Sequence, residues 1–203
     1  MTGRRNSQRV HDPRLLRAIA HPARNRILNE LSAGGPMRAA DIARELGIPA
    51  NQASFHLRQL AKYGLVEEAP EEARDRRDRV WKLVAEGGLV IDLRELDEIP
   101  GGRAAATVWQ RSASSWVHHV VDASFTDLDR EDVFRNLTEQ PIRLTKEEAK
   151  EFSAELDDVM TRWADRTRGR DESRSTYLLL QILQPYPEDP AGGDEQEEKR
   201  RDS

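Results

Sequence analysis

The sequence has no cysteine, which excludes disulfide frameworks, thiolate metal sites and catalytic thiols. It has no apolar run near the roughly 20 residues that a membrane-spanning helix needs. Its first residues, MTGRRNSQRVHD, lack the hydrophobic segment of a secretory signal. A soluble cytoplasmic protein is therefore expected. Also missing are a nucleophile–base motif, a glycine-rich phosphate cradle and paired metal ligands, so neither an enzyme nor a cofactor is expected. Gly101-Gly102 and Gly192-Gly193 lie in linker contexts and read as flexible joints.

A surplus of positive charge is lacking as well, since the net charge is −5. The distribution reverses that impression. Residues 1–84 carry 16 Lys+Arg against 10 Asp+Glu, while residues 85–203 carry 16 against 27. A basic N-terminal part joined to an acidic C-terminal part suggests a nucleic-acid-binding domain with a second module.

The stretch that organises the chain is RAADIARELGIPANQASFHLRQLAKYGL, residues 38–65. Ala40, Ile42, Ala43 and Leu46 share one helical face, and Gly47 supplies the left-handed residue that ends a helix. Ile48 fills the corner and Pro49 starts the next segment with its φ already set. In residues 50–62, Ala53, Leu57, Leu60 and Ala61 form a narrow apolar stripe. The opposite side carries Asn51, Gln52, Ser54, Phe55, Arg58 and Gln59. Amide side chains pair with adenine edges, arginine with guanine or phosphate, and serine with phosphate. That side chemistry suits a helix that reads the major groove of double-stranded DNA. A solvated helical hairpin is the plainer alternative.

Around it, residues 1–11 hold Arg4, Arg5 and Arg9 and read as a flexible basic arm. Asp12-Pro13 opens a short helix, and Pro22 opens a second that stops at Gly34-Gly35-Pro36. After Gly64, Leu65-Val66 begins a strand. A charged loop follows, and residues 79–84 (RVWKLV) return as its partner. The hairpin tip carries Arg74, Arg76, Arg77 and Arg79, diluted by Glu71, Glu72, Asp75 and Asp78. Two helices, a helix–turn–helix and a hairpin describe a winged helix over residues 12–86.

Residues 18–67, AIAHPARNRILNELSAGGPMRAADIARELGIPANQASFHLRQLAKYGLVE, resemble the ArsR-type bacterial transcriptional regulators. The resemblance covers roughly residues 14–84 and lies in His21-Pro22-x-Arg24, Leu46-Gly47-Ile48, Ser54, His56-Leu57 and the exit from Leu60 through Gly64-Leu65-Val66 into the wing. It implies a homodimer on a pseudo-palindromic operator, read by residues 50–62, with wing contacts from Arg74, Arg76, Arg77 and Arg79. His56 is left with two roles, a phosphate contact or packing at the hairpin's edge. The cysteines of the family's metal sensors are absent here. His118, His119 and Asp122 mimic half of another family site, but Thr107, Val108 and Trp109 stand where its other half belongs. Adjacent histidines also point about a hundred degrees apart on a helix, so no metal site is expected.

Residues 87–102 read as a strand (residues 89–93) and linker leading to a C-terminal module, 103–187. Its first helix, 103–124, aligns Trp109, Ala113, Trp116 and Val120, widened by Val117 and Val121. Two tryptophans on one face must pack on something, either a partner subunit or the second domain. A two-fold operator requires a dimer, which makes these four residues the candidate dimerisation face. Residues 142–144 are a strand candidate. Thr145-Lys146-Glu147-Glu148 is a capping box for a helix to about residue 167, lined by Ala149, Phe152, Leu156, Val159 and Trp163. Residues 177–183 (YLLLQIL) read as a strand buried on both faces, and 188–203 as a disordered acidic tail.

The expected fold class is α+β, mainly α: a winged helix-turn-helix followed by a small helical and strand module. The expected function is a homodimeric, sequence-specific transcriptional regulator, a repressor, whose C-terminal module is a candidate small-molecule effector domain. The competing class is a winged helix used for protein–protein contact without specific DNA binding.

Overall fold

A computed structural model describes residues 6–73, 79–126, 133–169, 171 and 173–187 of the chain. The Asp12 carboxylate accepts the Arg14 backbone N–H at 2.7 Å, and Pro13 stands in the first turn. Those two residues start α1 (Pro13–Ile19), which buries Leu15, Leu16, Ala18 and Ile19. α2 (Pro22–Gly34) turns Ile27 and Leu31 inward and ends at Gly35, whose φ of 78° is open mainly to glycine. β2 (Met37–Arg38) leads directly into α3 (Ala39–Leu46), and Gly47 closes α3 at φ 64°. α4 (Ala50–Lys62) follows as the second member of the helix–turn–helix. β3 (Val66–Glu68) and β4 (Val80–Leu83) form the wing, and β2 joins them in an antiparallel sheet of order β2-β4-β3. The chain is thus mainly helical with a winged helix-turn-helix at its N-terminal end.

The stretch read as a flexible arm is partly ordered. β1 (Gln8–Val10) pairs in parallel with β5 (Leu89–Ile91), and the Ser7 hydroxyl donates to the Gly87 carbonyl at 3.0 Å. Residues 1–5 lie outside the described residues. The boundary after residue 86 also dissolves. α5 (Leu93–Asp97) and α6 (Gly102–Ser124) continue the chain, and the buried core runs unbroken from Val10 through Leu57 and Trp81 to Leu96, Ala105 and Ala106. Leu96 is fully buried, so residues 87–102 are part of the packed domain.

Gly102 explains how that join is made, and it corrects the reading of the glycine pair as a flexible joint. Its N–H donates to the Ile99 carbonyl at 2.8 Å. A Cβ placed on Gly102 would lie 1.7 Å from the Leu96 carbonyl oxygen. The backbone of α5 sits where any other side chain would begin. α6 then packs along α1, and the Ser112 hydroxyl donates to the Ala20 carbonyl at 2.6 Å.

The C-terminal portion departs most from expectation. α7 (Lys146–Thr167) forms with its capping box intact: Thr145 Oγ1 accepts from the Glu148 N–H at 3.2 Å, and the Glu148 carboxylate accepts from the Thr145 N–H at 2.7 Å. That bond holds the Glu148 carboxyl below its usual value. Yet no residue of α7 is buried. Residues 142–144 and 177–183 are not strands, and Tyr177, Leu178, Leu179 and Ile182 are exposed. A strand needs a sheet edge to take its backbone groups, and neither segment joins the β1-β5 or the β2-β4-β3 sheet. Residues 188–203 lie outside the described residues, as do 127–132. Among the described residues, Arg168 to Glu86 at 2.7 Å and Thr176 to Glu30 at 3.0 Å tie this portion to the domain.

Candidate nucleic-acid interface

α4 is seated by its apolar stripe. Ala53, Leu57 and Leu60 are each 0% exposed, and each buried leucine contributes roughly 1.5–3 kcal/mol. The stripe locks the rotation of the helix, which decides what faces outward. Asn51, Gln52 and Arg58 are exposed, Phe55 is 51% exposed, and Ser54, His56 and Gln59 are half-buried. Asn51 Oδ1 accepts the Gln52 backbone N–H at 2.9 Å, which commits one acceptor of that amide to the first turn. Gln52 keeps its side-chain amide outward, the geometry bidentate adenine pairing requires.

An ion pair on a buried carboxylate braces the first turn of α3, and the sequence reading missed it. Asp41 is fully buried, and Arg38 grips it with Nε at 2.8 Å and Nη2 at 3.0 Å. Arg44 Nη2 adds a contact at 3.4 Å. Removing one partner of such a pair leaves an uncompensated charge. The only sequence signal was an acid three residues after Arg38, in the first turn of α3.

In the wing, Glu67 faces Lys82 across the β3–β4 register. Lys82 Nζ lies 2.7 Å from Glu71 and 3.6 Å from Glu67, which raises the Lys82 pKa and lowers that of Glu71. Arg79 lies 3.6 Å from Glu68, both exposed. An exposed pair of this kind is worth at most about 1 kcal/mol, so Arg79 can exchange partners. Arg74, Arg76 and Arg77 lie outside the described residues.

A second missed feature joins α2 to α4. The His21 and His56 rings stand 4.7 Å apart, centroid to centroid, and Phe55 meets His56 edge-on at 5.5 Å. Arg24 acts on both histidines. The motif His21-Pro22-x-Arg24 marked the resemblance, but nothing in its spacing predicted contact with His56.

Trp109, Ala113, Trp116 and Val120 are all half-buried on α6, and Trp109 packs against the domain's own core. His118 Nδ1 lies 2.7 Å from the Ser114 carbonyl, and the His119 ring lies 5.5 Å from Trp116. Among the described residues no group of three His, Asp or Glu is placed to hold a metal ion, and no helix is long and apolar enough to cross a membrane.

A helix-turn-helix domain family matches residues 19–69, about a quarter of the chain. No curated protein matches. Among solved structures, the chain is similar to a mutant of MarR from E. coli at 16% identity, covering 74% of this chain and 88% of that one, TM-score 0.33. It is similar to a mutant of ZitR from Lactococcus lactis at 17% identity, covering 71% and 83%, TM-score 0.30. NMB1585, a MarR family regulator from Neisseria meningitidis, matches at 21% identity over 75% and 80%, TM-score 0.28. The class defined by the fold and the matched domain is a winged helix-turn-helix protein.

Proposed function

We propose that this protein is a homodimeric, sequence-specific DNA-binding repressor of the ArsR type, which reads its operator with α4 and steadies it with the wing. The observation that carries the reading is the division of α4: a fully buried stripe of Ala53, Leu57 and Leu60 behind an outward set of Asn51, Gln52 and Arg58. A rigidly seated helix with amide and guanidinium groups outward is equipped for base edges and phosphates together. Ser54, Phe55, His56 and Gln59 complete that face. Arg79, with Arg74, Arg76 and Arg77, supplies flanking backbone contacts.

Dimerisation is supported by the apolar surface left uncovered on one subunit. Val121 and Phe125 at the end of α6, and Val159, Met160 and Trp163 on α7, are exposed. Trp109, Ala113, Trp116 and Val120 are only half-covered, and a second copy would complete the burial. The same C-terminal portion is the place for an effector, if the protein answers to one. Selection of bound fragments from genomic DNA tests the reading. A shared inverted repeat, bound with an affinity that falls steeply with salt, is the expected result. Recovery of no common sequence favours a winged helix that contacts proteins instead.

A further inference from the structure

The junction of α2 and α4 gathers three groups able to carry positive charge. His21 caps α2 through its backbone and makes no side-chain cap bond. Arg24 lies in the first turn of the same helix, and His56 arrives from the middle of α4 with its ring 4.7 Å from that of His21. Arg24 Nε and His56 Nδ1 are buried, and neither has a hydrogen-bond partner. Among the described residues, the charged and titratable groups acting on the three are one another and Tyr63, with no carboxylate among them. Gathering like charges without a counter-ion costs free energy, and an anion would relieve it. The amino end of α2, thirteen residues long, adds its dipole at the same place.

We propose that His21, Arg24 and His56 form a phosphate-binding site that holds a DNA backbone phosphate at the edge of the groove read by α4. Helical spacing puts His56 on one face with Gln52 and Gln59, so a base contact by Gln52 brings a flanking phosphate toward the junction. The proposal rests on the DNA-binding reading and deepens it. In the free protein, burial first, then Arg24, lowers the pKa of His21; burial, His21 and Arg24 lower that of His56. A bound phosphate acts the other way, so binding takes up protons and tightens as the pH falls.

The test uses the full chain, a fluorescently labelled duplex of mixed sequence, and inorganic phosphate as a separate probe. Wild-type affinity for the duplex is expected to rise between pH 8 and pH 6. The His21→Gln, His56→Gln double variant should lose that rise. Arg24→Gln should lower the slope of log affinity against log salt by about one contact, and Arg24→Lys should keep it. A duplex bound with the same slope and pH dependence in all variants overturns the site while DNA binding stands. Inorganic phosphate that shifts the histidine ring resonances, with duplex binding insensitive to the variants, makes the site one for free phosphate and overturns the DNA source. No duplex binding by the wild type at low salt defeats the DNA reading itself. Shifted resonances would then keep only the phosphate chemistry, and unshifted ones would remove both. Should Arg24→Gln melt at the assay temperature, wild-type affinity that stays flat from pH 8 to pH 6 overturns the proposal alone.

Discussion

α4 and α7 are both amphipathic helices, and the better-capped one is the less buried. α7 has a complete capping box, while α4 starts at Pro49 with no side-chain cap bond. The α4 stripe is nevertheless sealed by α2 and α3, whereas Trp163 on the α7 stripe remains 55% exposed. Capping contributes on the order of 1 kcal/mol and acts on the helix alone. Packing contributes several times more and depends on what the rest of the chain brings alongside. Helix formation and helix burial are therefore separate decisions, and this molecule divides them between its two ends.

The contrast can be broken most sharply at Leu96, a fully buried leucine beyond the wing. Leu96→Ala should destabilise the chain by about 2–5 kcal/mol in urea unfolding. A loss under about 1 kcal/mol would restore a domain boundary after residue 86. Gly102→Ala comes next. Its methyl group meets the Leu96 carbonyl, so α5 must shift, at a cost of about 1–3 kcal/mol. A melting temperature equal to wild type would show that the α5–α6 turn is soft after all.

On the recognition helix, Gln52→Ala should leave folding untouched and weaken operator binding by about 1–3 kcal/mol, with little change on random DNA. Equal losses on both DNAs would mean that Gln52 does not read bases. The smallest effect belongs to α7. Trp163→Ala should change monomer stability by less than about 0.5 kcal/mol, measured at dilutions where the chain sediments as a monomer. At higher concentration, the Trp109→Ala, Trp116→Ala double variant should sediment as a monomer where wild type dimerises. A double variant that stays dimeric would move the interface to another face, with α7 and Trp163 the next to test.

Much of the winged helix was legible because its signals are local. Asp12-Pro13, Gly34-Gly35, Gly47 and the spacing of Ala53, Leu57 and Leu60 each specify a start, a stop or a face within a few residues. The capping box at Thr145 was legible for the same reason. The misreadings share a different cause. A run such as Tyr177–Leu183 states only that it is apolar, and becomes a strand only if a distant edge accepts its backbone. Gly101-Gly102 looks like a joint in sequence and is a point of closest approach in space.

The sequence by itself determined the longer helices, most of their ends and the outward chemistry of α4, but not the short α5, because hydrogen bonds and periodicity act over one or two turns. Only the tertiary structure decided that β1 pairs with β5, that Arg38 clasps a buried Asp41, and that His21 meets His56. Those contacts join residues far apart along the chain or depend on which face is covered. Their free energy exists only once the core between Val10 and Ala106 has closed.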